Sequence, residues 1–232
     1  MREKAMEFLE RNPLEHVDML EPIRRGTAEV LAIDAEGVLV FETDAQLYML
    51  TTETPASTMR LIAKIDNADL VAVHQGHAVP VLARKYSLHQ TMCCYQAVWP
   101  HTYPPKISSS NITIAPLSPD MAERITALYS HNIGIDYIRE RLSAREMFGA
   151  FNKGELAGFI GLHKEGSMGM LEIDPSFRRK GIGLQLVSYL CAYQLSRGRI
   201  PFSQFVRENN ASRQLHERLG FSISDSPVFW LE

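Results

Sequence analysis

The run Leu171-Glu172-Ile173-Asp174-Pro175-Ser176-Phe177-Arg178-Arg179-Lys180-Gly181-Ile182-Gly183 decides how the chain is read. It starts as an apolar, strand-like segment, turns at Asp174-Pro175, gathers three cations and passes two glycines. A helical pattern comes next, with Leu184, Leu186, Val187, Leu190 and Cys191 on its apolar side. Strand, turn and helix start together make an anion site, because the first N–H groups of a helix lack internal partners and point outward. Gly181 and Gly183 allow a phosphate to approach the backbone. The glycines do not form a dinucleotide fingerprint, since the third is missing, and no G-K-[ST] closes a P-loop.

Working outward, a chain of 232 residues with 45% hydrophobic content can hold two modest domains or one large one. A net charge of −3 speaks against nucleic acid as partner; the cluster at Arg178, Arg179 and Lys180 is local and suits one small polyanion. The three cysteines do not make a disulfide framework and read as reduced thiols of a cytoplasmic protein. Met1-Arg2-Glu3-Lys4 leads into an amphipathic segment rather than a signal peptide, and no run reaches the ~18 apolar residues of a spanning helix.

Periodicity predicts helices over 3–11 and 15–25, then strands at 28–33, 37–41 and 46–50. After these come a helix opening at Pro55, a strand at 69–73, a helix at 77–85 and a strand at 91–99. Pro100, Pro104, Pro105 and Ser108-Ser109-Ser110 form the clearest break, placing a domain boundary near 100–110. Beyond it come a strand at 112–115, a helix from Ser118 or Pro119 to Tyr129 with Ser118 as cap, and a short helix at 137–142. Strands at 147–151, 156–162 and 167–173, the helix at 183–196, a strand at 200–206, a helix at 210–218 and a strand at 228–231 complete the order.

Arg178-x-x-Gly181-x-Gly183 resembles the pyrophosphate loop of the GNAT superfamily of acyl-coenzyme A-dependent N-acyltransferases. Ile200–Val206 resembles the superfamily's next strand, and the segment Asn209, Asn210, Ala211, Ser212, Leu215 and His216 resembles its asparagine-started helix. Leu219-Gly220-Phe221 resembles the close of that helix. The resemblance implies an α/β fold with a GNAT acyltransferase domain over 111–232. Residues 1–105 form a smaller α/β domain that either is a degenerate copy or is unrelated. The layout resembles bacterial relatives of the glycine N-acyltransferase group.

By that resemblance the cosubstrate is acetyl-coenzyme A or another acyl-coenzyme A, without a metal. Its pyrophosphate rests on the backbone of Arg179, Lys180, Gly181, Ile182, Gly183 and Leu184, with charge from Arg178 to Lys180. The Ile173 backbone holds the pantetheine arm, and the Leu171 N–H lies near the thioester oxygen, where a donor helps as charge develops. Glu172, a carboxylate in an apolar strand, is the first candidate for handling the amine or its proton, with Glu165 behind it. His216 stands where many members carry a tyrosine proposed to protonate the thiolate; it either does the same or packs as a neutral ring. Asn209 binds the arm or caps the helix. His74-Gln75-Gly76-His77 reads as a turn rather than a metal site.

The expected activity is acyl transfer to a primary amine of a small molecule or amino acid, by direct attack in a ternary complex. A sensing module that binds acyl-coenzyme A without efficient turnover, a protein N-acetyltransferase, and a structural protein with no cofactor are the alternatives. A small-molecule amine is the expected partner, with neither nucleic acid nor membrane, and homodimerisation is left open.

Overall fold

The computed structural model describes residues 1–107, 111–131 and 133–232. Its first elements are α1 (Arg2–Leu9), α2 (Val17–Arg25), β1 (Ala28–Asp34), β2 (Gly37–Glu42), β3 (Leu47–Thr52), α3 (Pro55–Ile62), β4 (Val71–Val73), α4 (Val79–Tyr86) and β5 (Gln90–Val98). Then come β6 (Ile112–Pro116), α5 (Ala122–Leu128), α6 (Ile135–Ser143), β7 (Met147–Asn152), β8 (Glu155–Leu162) and β9 (Met168–Ile173). The last are α7 (Ile182–Ser196), β10 (Phe202–Val206), α8 (Asn210–Leu219), β11 (Ser222–Ile223) and β12 (Val228–Leu231). The two-residue β11 has no signature in the sequence. Ser118 does sit at an N-cap position, but its hydroxyl makes no cap bond, and a 3-10 turn over Pro119–Met121 precedes α5. The serines of the expected break, Ser108 to Ser110, lie outside the described residues.

The chain forms two compact units. The first takes Met1–Val98, Gln204–Gln214 and Ser222–Glu232; the second takes Trp99–Ser203 and Leu215–Phe221. The expected division into 1–105 and 111–232 follows chain order, whereas these units draw on discontinuous pieces.

In the first unit β1, β2 and β3 form an antiparallel meander, and β4 runs parallel to β3. The C-terminal strand β12 lies antiparallel between β4 and β5, and β11 pairs with β5. Apolar residues on alternate positions bury both faces of this sheet. Phe8, Leu9, Leu20 and Ile23 of α1 and α2 cover one face over Val38, Val40, Leu47 and Met49. Leu61, Ile62 and Leu82 of α3 and α4 cover the other over Leu39, Leu50, Val71 and Val73.

In the second unit β6, β7, β8 and β9 form an antiparallel meander. The start of β10 pairs parallel with β9 through Ser203 and Met168. Ile125, Ile138 and Leu142 of α5 and α6 pack with Met147, Leu156, Phe159 and Met170. The Phe148 ring packs against Tyr189 and Tyr193 of α7, with centroids 5.2 and 4.9 Å away. That burial holds α7 against the sheet, so the turn before it has a fixed direction.

Candidate functional site

The site begins at an irregularity in β9. Phe159 faces Glu172 across the β8–β9 ladder and Gly161 faces Gly169, so β9 has one more residue than its partner in the interval. Met170 absorbs the extra residue with φ +50°, although its side chain is only 2% exposed. A non-glycine residue in that region costs on the order of 1–2 kcal/mol, which the apolar packing of Met170 offsets. Such bulges bend a strand and re-aim the residues beyond them. Past the bulge β9 stays paired with β8, while among the described residues it pairs with β10 through Met168. Glu172 and Ile173 thus have a ladder partner on one side, and Leu171 lies within the bulge. The Asp174 N–H bonds to Ala157 O (3.0 Å), and strand alternation turns the polar groups of Ile173 to the opposite, open edge.

A 3-10 turn at Pro175–Phe177 comes next, with Asp174 taking the Ser176 N–H at 2.9 Å. Arg179 has φ +61° and Gly181 φ +77°, and no atom lies within 4 Å of where a Gly181 Cβ would stand. Alternating backbone handedness of this kind turns successive N–H groups toward one concavity. Gly181 is the N-cap of α7, with no side-chain cap, and the first intrahelical bond runs from Gln185 N to Gly181 O at 3.3 Å. The N–H groups of Ile182, Gly183 and Leu184 precede that bond. The helix starts at Ile182, one residue before the expected Gly183. Gly183 serves packing: a Cβ there would meet Leu215 Cδ1 at 3.0 Å.

The three cations are not equivalent. Lys180 donates to Ser176 O (3.0 Å) and covers the Phe177 ring at 5.0 Å. Arg178 donates through Nε to Ile173 O at 3.1 Å and pairs through Nη2 with Glu172 Oε1 at 3.4 Å. The other Glu172 oxygen accepts the Ser130 N–H at 3.2 Å. Beside it, burial and then the Glu172 charge push the Tyr129 phenol up to about 12, so it keeps its proton at neutral pH. A cavity of about 240 Å³ lies among Thr126, Tyr129, Ser130, His131, Ile133 and Gly134. Neither Tyr129 nor Ser130 is marked out in the sequence; an aromatic at the end of an amphipathic helix looks like core, and Tyr129 does pack on Phe159 at 6.0 Å.

Glu165 is buried and bonds to the Ser167 hydroxyl. His216 is 4% exposed and stands edge-on to Phe221, with centroids 5.0 Å apart. Asn209 Oδ1 accepts the Ser212 N–H at 3.0 Å and so caps α8. Burial pushes the Cys94 and Cys191 thiols up to about 12, which keeps both protonated and poorly nucleophilic. Among the described residues no three His, Cys, Asp or Glu side chains gather as a metal site, and no helix is long and apolar enough to cross a membrane.

The FR47-like protein family model matches residues 147–230, which takes in β7 through most of β12. Among solved structures, a Drosophila protein is 16% identical, with a TM-score of 0.67 over 99% of this chain and 86% of its own. A GCN5-related N-acetyltransferase from Kribbella flavida is 11% identical, with a TM-score of 0.58 over 94% of each chain. A GCN5-related N-acetyltransferase-like protein from Streptococcus suis is 10% identical, with a TM-score of 0.54 over 99% of each. At these identities the likeness is one of fold, and the fold is that of the GCN5-related N-acetyltransferases. No curated protein matches the chain.

Proposed function

We propose that the protein transfers an acetyl or other acyl group from acyl-coenzyme A to the primary amine of a small molecule or amino acid, by direct attack with both substrates bound. One observation carries the reading: the open edge of β9 runs into a basic turn and the uncapped N-terminus of α7. The open space at Gly181 fits a phosphate group lying close to the backbone.

Coenzyme A supplies the thioester. Arg179 to Leu184 offer backbone N–H groups to the pyrophosphate, and the Ile173 backbone pairs with an amide of the arm. The Leu171 N–H stabilises charge on the acyl oxygen. Glu172 accepts a proton from the ammonium form of the acceptor; as the freed nitrogen bonds to the acyl carbon and the carbon–sulfur bond breaks, the departing thiolate takes the second proton that nitrogen loses. The cavity behind Ser130 is the acceptor's side of the site. Two buried thiols that stay protonated agree with direct transfer rather than an acyl-cysteine intermediate. For His216, burial and the Phe221 contact favour the packed role; for Asn209, the Ser212 bond favours the cap.

The first unit we take to be a copy of the same fold that holds no coenzyme A. Its parallel β3–β4 pair and the α3 between them parallel β9, α7 and β10. We place the chain nearest the glycine N-acyltransferase group on its expected order of domains alone, and in the cytoplasm because free thiols suit a reducing compartment.

Thiol release from acetyl-coenzyme A is the test, with pooled amino acids including glycine, polyamines and aminoglycosides as acceptors. Turnover supports the enzyme; tight binding with no turnover on any pool supports the sensing module instead.

A further inference from the structure

Arg178 occupies two groups that the proposed reaction needs. Its Nε holds the outward carbonyl of Ile173 (3.1 Å), and its Nη2 holds the Glu172 carboxylate (3.4 Å). The same side chain begins the basic turn over which the pyrophosphate is placed. It reaches back from that turn along the β9 edge, so while it stays there the carboxylate is neutralised and the arm's backbone acceptor is taken.

The pair is set up to exchange. The Arg178 side chain is 57% exposed and the Glu172 side chain 15%, so water competes for the guanidinium and the pair holds it only weakly. A pyrophosphate offers the guanidinium more charge and a bidentate geometry that a single carboxylate oxygen at this distance does not. Glu172 also has a second anchor, the Ser130 N–H at 3.2 Å, which keeps the carboxylate in position when the arginine leaves.

Resting on the acyltransfer reading above, we propose that Arg178 is a positioning residue that latches the acceptor side until coenzyme A binds. On binding, its guanidinium moves from Glu172 and Ile173 O to phosphate. Ile173 O then takes an amide N–H of the arm, and Glu172, left with a full negative charge, attracts the ammonium form of the acceptor and accepts its proton. The substrates therefore bind in order, coenzyme A first, and by reciprocity each strengthens the binding of the other by the same factor.

The latch makes a prediction opposite to that of a carboxylate acting only as a base. Breaking the pair from the glutamate side releases Arg178, so Glu172→Gln binds coenzyme A about two- to fivefold more tightly than the native protein, the worth of a half-exposed pair. Calorimetric titration of free coenzyme A at fixed salt measures this without turnover. Arg178→Gln weakens binding. In the Arg178→Gln background, adding Glu172→Gln brings no gain, which separates the latch from a general loss of repulsion between Glu172 and phosphate. Glu172→Ala, run in parallel, guards against a local distortion peculiar to glutamine. An unchanged or weaker affinity in both Glu172 variants, or the same gain with and without Arg178, overturns the latch while leaving the acyltransfer reading intact. Failure of the native protein to bind coenzyme A at all overturns both.

Discussion

Two junctions in this molecule, one in each unit, run from a strand through a short turn into a helix, and they differ in who satisfies the backbone. At the end of β9 the turn is basic, Gly181 leaves space, and the first N–H groups of α7 have no side-chain cap. At the end of β3 the Thr54 hydroxyl takes the Ser57 N–H at 3.2 Å, and Pro55 has no N–H to offer. Carboxylates already occupy that helix start: Glu36 accepts from Thr54 at 2.9 Å, Asp34 accepts from Ser57 at 2.9 Å, and Arg60 neutralises both. The strand edges differ in the same way. β3 and β4 pair through Leu50 and Val73, after which the Gln75 amide closes the gap, taking the Thr52 N–H at 2.7 Å and reaching Thr51 Oγ1 at 3.0 Å. In the first unit the protein's own side chains fill the places that stay open in the second.

The sharpest way to break this contrast is to make the open junction resemble the closed one. Gly181→Glu puts a carboxylate into the concavity at a residue with φ +77°. We expect coenzyme A affinity to fall by about a hundredfold or more, because an internal anion then competes for the helix N-terminus. Calorimetry measures it, and unchanged binding would place the anion site elsewhere. Next in size, Glu172→Gln should lower kcat by about tenfold or more, the low end of general-base contributions. The loss should be greatest at low pH, where the acceptor amine carries a proton that must be removed, and smallest where the free amine is abundant. A small, pH-independent loss would take Glu172 out of the chemistry.

The first unit has an acid weak point of its own next to the closed junction. His16 Nδ1 faces Leu9 O (3.1 Å) and Nε2 faces Thr51 Oγ1 (3.1 Å), an arrangement that suits the neutral ring. Burial, with the neighbouring His74 adding to it, lowers its pKa from 6.5 to about 4. Between those values the unfolded chain binds a proton that the folded one refuses, so stability is full above pH 6.5 and falls as pH drops toward 4. The expected loss is roughly 3 kcal/mol at most. Thermal unfolding from pH 7 to 4 should show it, and a His16→Gln variant should have a flatter profile. A native Tm that stays level across this range would mean that the ring is not held neutral.

How far each of these features is legible in the sequence depends on where its partners lie. Gly181 and the cations before α7 stand in one short run, so local spacing is enough to locate the turn. Glu172 stands out as a carboxylate among apolar neighbours. The Met170 bulge leaves no mark, because a left-handed methionine is held by packing contacts from α5 and α6 that lie far along the chain. The closing role of Gln75 is equally invisible: it depends on the place where β3 and β4 part. The position of β12 cannot be read either, since a four-residue apolar strand carries no information about which sheet receives it. Ser130 acts through its backbone N–H, which every residue but proline has.

The smallest expected effect tests whether the closed junction is closed for stability or by accident of sequence. Thr54→Ala removes the hydroxyl that caps α3 and ties it to Glu36. Loss of such a cap costs about 1 kcal/mol, read as a lower denaturant midpoint with an unchanged slope. Asn209→Ala removes the Ser212 bond at the start of α8 and should cost a similar amount. Coenzyme A affinity should be unaltered in Thr54→Ala, because Pro55 still withholds an N–H, Arg60 still belongs to Asp34 and Glu36, and Gln75 still covers Thr52. If Thr54→Ala acquired a second binding site for coenzyme A, a single hydroxyl would be all that separates the two junctions, and the acidic cluster and the Gln75 closure would lose their explanatory place.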